Sequence, residues 1–452
     1  MPASIWYYAA LFVVVIVAFA LFRRPLYEAM AIAFVVLLLL TGRWASAPTF
    51  LLKAAKTSIL FTICLFLVFS SILKKTGVIQ ECVEIILSLV GHLPGGPGLV
   101  SLLSSAFMGA LSGSGPGNVA ATGSVTIPLM ERAGYPPEFS AGISMAGSCL
   151  SPVIPPSATI LSSFACFTLV AGYEEYTINR FWLVMYGVSV VFVLQRILQF
   201  YLMRAALQLK PVPREELPRF RDAWRKGWKS FLLILVIILP FILDNSFKGA
   251  LESLMGDAAA KIYSSAMLQF IPGVAAAYAL LVSWKQHKLS FQQIAEQVKA
   301  DVKSIASLVV ALFFAYAISE LLSSCNIVAE TDAFLSALQL PFFVMLLLLL
   351  AVITMLGMFM PGTSMIPLLG PVYISVLYTY GVNPVLVASM LPVLFVSLGQ
   401  MTPPFAVCMF AAMGIAQSDF KKTVVHAAIW SLGQLLLVLL IFCGLIPIPW
   451  LS

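Results

Sequence analysis

The stretch GALSGSGPGNVAATGSVTIPLM (residues 109–130) places glycine, serine, proline and asparagine, and no charged residue, inside an apolar run. Glycine and proline both interrupt helices, so its meaning depends on what surrounds it. Of the 452 residues, 61% are hydrophobic and 10% are charged, and the mean hydropathy is +1.00. A soluble core does not absorb that much apolar surface. Runs at 5–22, 58–73, 231–243, 305–319 and 435–445 approach, with their flanks, the roughly 20 residues that carry a helix across a bilayer core of about 30 Å. The chain reads as an all-α integral membrane protein, a polytopic helix bundle.

The first run competes with a signal peptide. No basic residue precedes it, no small-residue cleavage pattern follows it, and Arg23 and Arg24 come after it, so it is expected to be a retained helix. The seven cysteines form no CxxC pair and lie mostly in apolar segments, the pattern of buried free thiols. His92, His287 and His426 are scattered and suggest no metal site. The net charge of +7 does not point to nucleic acid, because nine of the 26 basic residues fall between Arg196 and Lys229. That clustering beside helices reads as a cytoplasmic loop under the positive-inside rule. A second connector, 285–303, also carries lysines, and the two apolar segments between the loops return the chain to the same face.

From residue 98 to 111 the apolar run lasts about 14 residues, a rise of roughly 21 Å as a helix, too short to span. It resumes over 119–130 and ends at Glu131 and Arg132. Two short arms about a polar turn predict a re-entrant hairpin. Beyond GYPPEF, a segment starting at Phe139 is interrupted at SPVIPPS (151–157) and continues to 170. Its prolines lack donors and disfavour helix before them, which predicts a helix broken in mid-membrane.

The second half follows the same plan. An arm at 342–356, a break GMFMPGTS (357–364) and an arm at 365–380 precede a GVNP turn and a segment broken at GQMTPP (399–404). Gly134 and Gly381 are 247 residues apart, as are Pro137 and Pro384; Pro155 and Pro403 are 248 apart, as are Pro156 and Pro404. A single break reads equally well as a kink or packing notch, whereas four breaks in matched order read as two inverted repeats. The expected organisation is N-terminal helices at 1–75 and a first repeat at 76–175, with hairpin 98–130 and broken helix 139–170. Scaffold helices follow at 176–305, with the basic loop at 204–229 and the connector at 285–303. A second repeat at 306–420 holds hairpin 342–380 and broken helix 385–416, and a last helix occupies 421–452. Residues 248–265 read as an interfacial helix.

Non-helical backbone survives in hydrocarbon only when buried in protein or lining a cavity. Paired breaks in two repeats point to a secondary transporter's midplane site, where helix ends, carbonyls and hydroxyls meet anions and hard cations. No Asp, Glu, Lys or Arg occurs between Glu84 and Glu131, between Glu138 and Glu174, or between Asp332 and Asp419. Only Glu320 offers itself as an intramembrane carboxylate, and it lies outside the breaks, so the census favours a metal cation over a proton as coupling ion. An enzyme would need a nucleophile and base, a carboxylate dyad or clustered ligands in these windows. They hold none.

The motifs GSGPGNVAATGSVTIPLMERAGYPPEF, SPVIPPS, GMFMPGTS and GQMTPPF, in order over about residues 50–440, resemble the large membrane subunit (DctM) of tripartite ATP-independent periplasmic (TRAP) transporters. The resemblance implies an elevator-type permease of the ion-transporter superfamily in a bacterial or archaeal inner membrane, driven by sodium, with no other cofactor. It implies a small four-helix membrane subunit and a periplasmic substrate-binding protein as partners, and an organic acid, typically a C4-dicarboxylate, as substrate. By the same resemblance Ser112, Gly113, Ser114 and Asn118 form the first hairpin tip, and Ser151, Pro155 and Pro156 the first broken helix. Gly357, Gly362, Thr363 and Ser364 form the second tip, and Gly399, Thr402, Pro403 and Pro404 the second break. Sodium is expected at Ser112, Ser114, Thr363 and Thr402, with substrate between the tips. Many members read GSSVAD at the first tip; this chain reads GSGPGN, closer to the fused permeases, so Asn118 and Pro361 stand where acids are common. Alternatives stay open at this point: Ser112 and Ser114 as caps, Thr402 bonded to its own helix, a carrier without partner proteins, or a non-transporting scaffold.

Overall fold

Several helices of this chain stop at or just before a left-handed glycine, as at Gly113, Gly134, Gly256, Gly381 and Gly444, and those stops shape the fold. The computed structural model describes residues 3–18, 22, 24–56, 58–73, 76–168, 176–205, 215, 217–287, 290–325, 340–358, 361–403 and 405–451. Among them there is no β-strand. The helices are α1 (Ala3–Ile16), α2 (Leu26–Leu40), α3 (Ala47–Lys56), α4 (Ser58–Leu73), α5 (Val78–Val90), α6 (Gly96–Ser112), α7 (Gly115–Asn118), α8 (Ser124–Arg132), α9 (Pro137–Ser148) and α10 (Ala158–Thr168). There follow α11 (Ile178–Arg204), α12 (Phe220–Met255), α13 (Asp257–His287), α14 (Phe291–Ser324), α15 (Phe342–Gly357), α16 (Gly362–Thr379), α17 (Pro384–Leu391), α18 (Val407–Ala416) and α19 (Phe420–Phe442). Wider π-helical turns, Val119–Gly123 and Pro392–Ser397, prolong α7 and α17.

Two stretches fold back on themselves. Ser101 meets Thr126 at 3.0 Å and Ser105 meets Thr122 at 3.2 Å, so α6 and the α7–α8 arm run antiparallel. At the open end of the second pair, the Tyr380 hydroxyl donates to the Leu340 carbonyl at 3.0 Å, and its ring lies 6.1 Å from that of Phe342. Each pair leads through a left-handed glycine, Gly134 (φ +84) or Gly381 (φ +80), into an interrupted helix. Pro137 and Pro384 occupy the first turns of those helices, where a missing N–H costs nothing.

Two buried clusters form the interior. The larger joins α1, α2, α4, α10, α11, α14, α16 and α17; the smaller joins α8, α9, α18 and α19 around Phe139, Met145, Phe200, Met409 and Trp430. The interruptions lie where these clusters meet, with Val153 and Ile154 in the larger and Cys149, Leu398 and Met401 in the smaller. Outward faces are apolar as well. Leu194, Leu198 and Leu202 on α11 are 59%, 63% and 68% exposed, and Leu432 and Leu436 on α19 project likewise. An i, i+4 row of bare leucines suits lipid rather than water. By length and composition α11 and α19 each suffice to cross a bilayer, and much of the remaining apolar content lies in shorter helices.

The charged connectors differ from the sequence expectation. Residues 220–229, expected in the basic loop, are the first turns of α12, and 291–303 are the first turns of α14. Lys, Arg, Gln and Glu are good helix formers, so both helices continue beyond their apolar portions. Lys226 pairs with Glu84 at 3.0 Å, and Ser230 hydrogen bonds Glu81, which docks the start of α12 on α5. Residues 248–265 are not a separate helix: they straddle the α12–α13 junction at Gly256 (φ +78). The basic residues at 210 and 214 and the histidine at 287 lie outside the described residues or side chains. Cysteines 82, 149, 166 and 408 are buried, but Cys443 is exposed.

At Gly381 a Cβ would meet nothing within 4 Å, so only its left-handed backbone opposes a side chain. Gly381→Ala is expected to cost about 1–2 kcal/mol, read as a lower melting temperature in detergent with the fold otherwise retained.

Candidate functional site

The first hairpin tip is built by caps. α6 closes at Gly113 (φ +59), whose N–H reaches the Gly109 carbonyl at 3.0 Å. Ser114 then adopts an extended conformation as N-cap of α7, and its Oγ accepts from the Gly117 N–H at 3.3 Å. Ser112 ends α6; its side chain lies outside the described residues. Asn118 is fully buried behind the tip. Its Nδ2 donates to the Ser105 carbonyl at 2.6 Å and to Ser151 Oγ at 2.8 Å, while its Oδ1 accepts from Thr122 at 3.2 Å. Ser151 Oγ in turn donates to the Ser148 carbonyl at 2.7 Å. A tip residue and a break residue are thereby joined by one amide.

The first break runs from Cys149 to Ser157, with prolines at 152, 155 and 156 and a cis peptide between the last two. The Pro152 carbonyl accepts from Ser157 Oγ at 3.1 Å and from Thr159 Oγ1 at 2.5 Å. Gly113 lies over Ser157: a Cβ there would stand 3.7 Å from its Cα.

The second break extends from Leu398 to Ala406. Thr402 is buried and its hydroxyl donates to the Leu398 carbonyl at 3.1 Å, the local back-bond expected of a threonine in a helix end. Its oxygen lone pairs remain available as acceptors. Gly357 and Gly399 approach so closely that a Cβ on Gly399 would be 3.1 Å from the Gly357 carbonyl oxygen. Gly362, at the start of α16, has no room for a Cβ at all, because the Phe395 carbonyl occupies that space. The Phe405 N–H donates to the Met358 carbonyl at 3.0 Å, a backbone bond between break and second tip. Ala406 pays for this course with φ +26, a strained value for a residue with a side chain. Thr363 is half-buried in the first turn of α16, the Ser364 side chain and Pro404 lie outside the described residues, and Pro403 is half-buried.

The first tip also reaches the second break. Gly115 abuts Gln400 Oε1 and Cys408 Sγ, with no space for a Cβ. The structure therefore gathers the first tip with both breaks and the second tip with the second break. Ends of half-helices gather there: the carboxyl end of α6 lies by Ser157, just before α10, the first tip lies by Cys408 at the start of α18, and the carboxyl end of α15 and the amino end of α16 lie against the second interrupted helix. Among the described residues no group of three or more His, Cys, Asp or Glu side chains is placed to hold a metal. The donors on offer are hydroxyls, carbonyls and amides, which suit a hard cation. Glu320, the one intramembrane carboxylate considered from the sequence, pairs with Lys53 of α3 at 3.0 Å and is partly exposed.

One residue of this region escaped sequence reading. Arg196, counted there with the basic loop, is buried in the middle of α11. Its guanidinium reaches Ala146 of α9, Met401 of the second break, and Trp430 and Gln434 of α19. The signal lay in the apolar run that continues past it to Met203.

The sequence matches the family described as "Tripartite ATP-independent periplasmic transporter, DctM component" over residues 13–448. It is 25% identical over 392 residues, 86% of this chain and 84% of the relative, to the C4-dicarboxylate TRAP transporter large permease protein DctM of Pseudomonas aeruginosa. It is 26% identical over 416 residues, 89% of each, to the 2,3-diketo-L-gulonate TRAP transporter large permease protein YiaN of Escherichia coli. In fold it is similar to the YdaH transporter of Alcanivorax borkumensis, with a TM-score of 0.64 at 16% identity over 90% of this chain and 88% of that one.

Asn118→Leu removes both donations, to the Ser105 carbonyl and to Ser151 Oγ, and sets an apolar side chain against these buried oxygens; it is expected to destabilise the protein by about 1–3 kcal/mol, measured by thermal unfolding in detergent. Gly362→Ala forces a Cβ onto the Phe395 carbonyl, an overpacking cost of about 1–3 kcal/mol. Its uptake activity should fall well below that of Gly381→Ala at matched expression.

Proposed function

The chain belongs to the family of the DctM component of tripartite ATP-independent periplasmic transporters, and on that premise we propose that it imports a small organic anion, a carboxylate, by sodium-coupled secondary transport. The family is one of transporter permeases, not of enzymes. The observation that carries the finer reading is the meeting of the first tip with both breaks, Gly113 over Ser157 and Gly115 against Gln400, in a region whose own segments lack acidic side chains. Helix amino ends attract the carboxylate, and carbonyls with hydroxyls replace the hydration shell of sodium. Sodium here is cargo rather than a resident cofactor. Ser114 and Ser112 at the first tip, and Thr363 and Thr402 at the second tip and break, are the hydroxyls assigned to it.

The two relatives named above are, by their names, permeases for a C4-dicarboxylate and for 2,3-diketo-L-gulonate. Both cargoes are carboxylates, which supports a carboxylate for this chain. The movement proposed is an elevator, in which hairpins and broken helices travel together past the remaining helices. Support comes from the backbone bond between Phe405 and Met358 and from the Asn118 amide joining tip to break, which tie these parts into one body. Membership of a tripartite family supports a periplasmic substrate-binding protein and a small four-helix membrane subunit as partners. The membrane proposed is the inner membrane of a bacterium or archaeon, with the basic segment around 219–229 on the cytoplasmic side.

Proteoliposomes carrying this chain with its proposed small subunit and binding protein are expected to accumulate the binding protein's carboxylate ligand under an inward sodium gradient. Replacing sodium by potassium should abolish uptake, and a protonophore should leave it intact. Equal uptake in both salts, collapsed by the protonophore, would refute sodium coupling; full uptake without the binding protein would refute the partner assignment.

A further inference from the structure

Arg196 presents an electrostatic problem that the sodium reading leaves unused. The side chain is 1% exposed. Nε donates to the Ala146 carbonyl at 3.2 Å; Nη1 donates to Gln195 Oε1 at 3.1 Å and to the Trp430 carbonyl at 3.4 Å; Nη2 faces Gln434 Oε1 and, at 3.8 Å, Met401 Sδ. The guanidinium also lies 5.5 Å from the centre of the Trp430 ring. Every one of these partners is neutral. The segments supplying them are free of acid: α11 has none, nor do 139–173, 333–418 and 420–452. An ion moved from water into protein is costly unless compensated. Here compensation comes from carbonyl and amide oxygens and an aromatic face rather than from a carboxylate.

The position of the charge explains those partners. Ala146 lies in the last turn of α9, immediately before the first break, and Met401 lies in the second break. Gln434 is a relay. Its Oε1 accepts from Arg196 and from Ser397 at 3.2 Å, while its Nε2 donates to the Val393 carbonyl of the π-helical turn at 2.8 Å. Arg196 thus stands at the carboxyl ends of both interrupted helices, where the partial negative charge of the backbone accumulates.

We propose that Arg196 is the resident cation of the site: a positioning residue that permanently occupies the cation-attracting place behind both breaks and leaves the tips as the seats for mobile sodium. With Arg196 in place, neither carboxyl end recruits an ion from solution in each cycle, and the net positive charge offsets that of an incoming carboxylate. This inference rests on the sodium-coupled reading for its meaning in transport, but its test does not depend on that reading alone.

The test compares Arg196→Lys, Arg196→Gln and Arg196→Ala in the full chain with its partners, in detergent and in proteoliposomes. The lysine variant, which keeps the charge, is expected to retain the wild-type sodium dependence of both melting temperature and uptake. The glutamine variant, which keeps polarity without charge, is expected to lose about tenfold in uptake at the wild-type's half-saturating sodium, equivalent to about 1.4 kcal/mol. It should also show a steeper sodium titration of melting temperature, because a mobile ion now fills the vacated place. Millimolar guanidinium, but not the neutral isostere urea, should raise the melting temperature of Arg196→Ala. A glutamine variant with the wild-type titration, a lysine variant as impaired as glutamine, or equal effects of guanidinium and urea would each overturn the proposal. Should Arg196→Ala and Arg196→Gln fail to fold, recovery of folding by guanidinium during solubilisation supports it, and recovery by urea alike or by neither overturns it. A wild-type protein indifferent to sodium would refute the coupling reading instead, and the guanidinium and urea comparison would still decide the role of Arg196.

Discussion

A backbone N–H or C=O group that leaves a helix inside a bilayer has no water to bond, and each one stranded costs several kcal/mol. The site depends on how the two breaks meet that constraint. In the first, prolines at 152, 155 and 156 remove three donors, the Val153 and Ile154 N–H groups turn back to the Leu150 carbonyl, and hydroxyls add to them: Ser157 and Thr159 converge on the Pro152 carbonyl, and Ser151 bonds Ser148. In the second, backbone answers backbone. Phe405 donates to Met358, and Cys408 N–H returns to the Gln400 carbonyl at 3.2 Å. The first break leans mostly on hydroxyls, with Ser189 of α11 donating to the Val153 carbonyl at 3.1 Å; the second adds the backbone of a neighbouring hairpin to its own Thr402.

Close approach follows from the same constraint. Phe405 reaches Met358 only because Gly357 and Gly399 let the two backbones touch, and because Gly362 leaves room for the Phe395 carbonyl. On the other side, Gly115 admits the first tip between Gln400 and Cys408. Small residues at these points do what they do in membrane helix packing generally, trading side-chain volume for backbone contact.

Much of this was legible because apolar, charge-free surroundings make a helix break conspicuous. The expected arms at 98–111 and 119–130 correspond to α6 and to α7 with its continuation through α8, and the breaks at 151–157 and 399–404 fall inside the irregular segments observed. Partnerships across the fold were less legible. Nothing in SGSGPGN says that its second glycine will press on a glutamine some 285 residues later, since that contact is tertiary. The charged connectors misled for a different reason: residues such as Arg225, Lys226, Gln292 and Lys299 are polar enough for a loop yet favour helix, and α12 and α14 extend through them. Arg196 was grouped with loop charges by proximity in sequence, although the apolar residues on either side of it belong to one continuous helix.

The bond from Phe405 to Met358 involves no side chain beyond the absence of bulk at the flanking glycines. A connection of that kind is indifferent to which residues decorate the loop beside it. Substitutions at neighbouring tip positions that keep the flanking glycines leave the joint fastened, so the side chains displayed at the tip can differ without loosening what holds it.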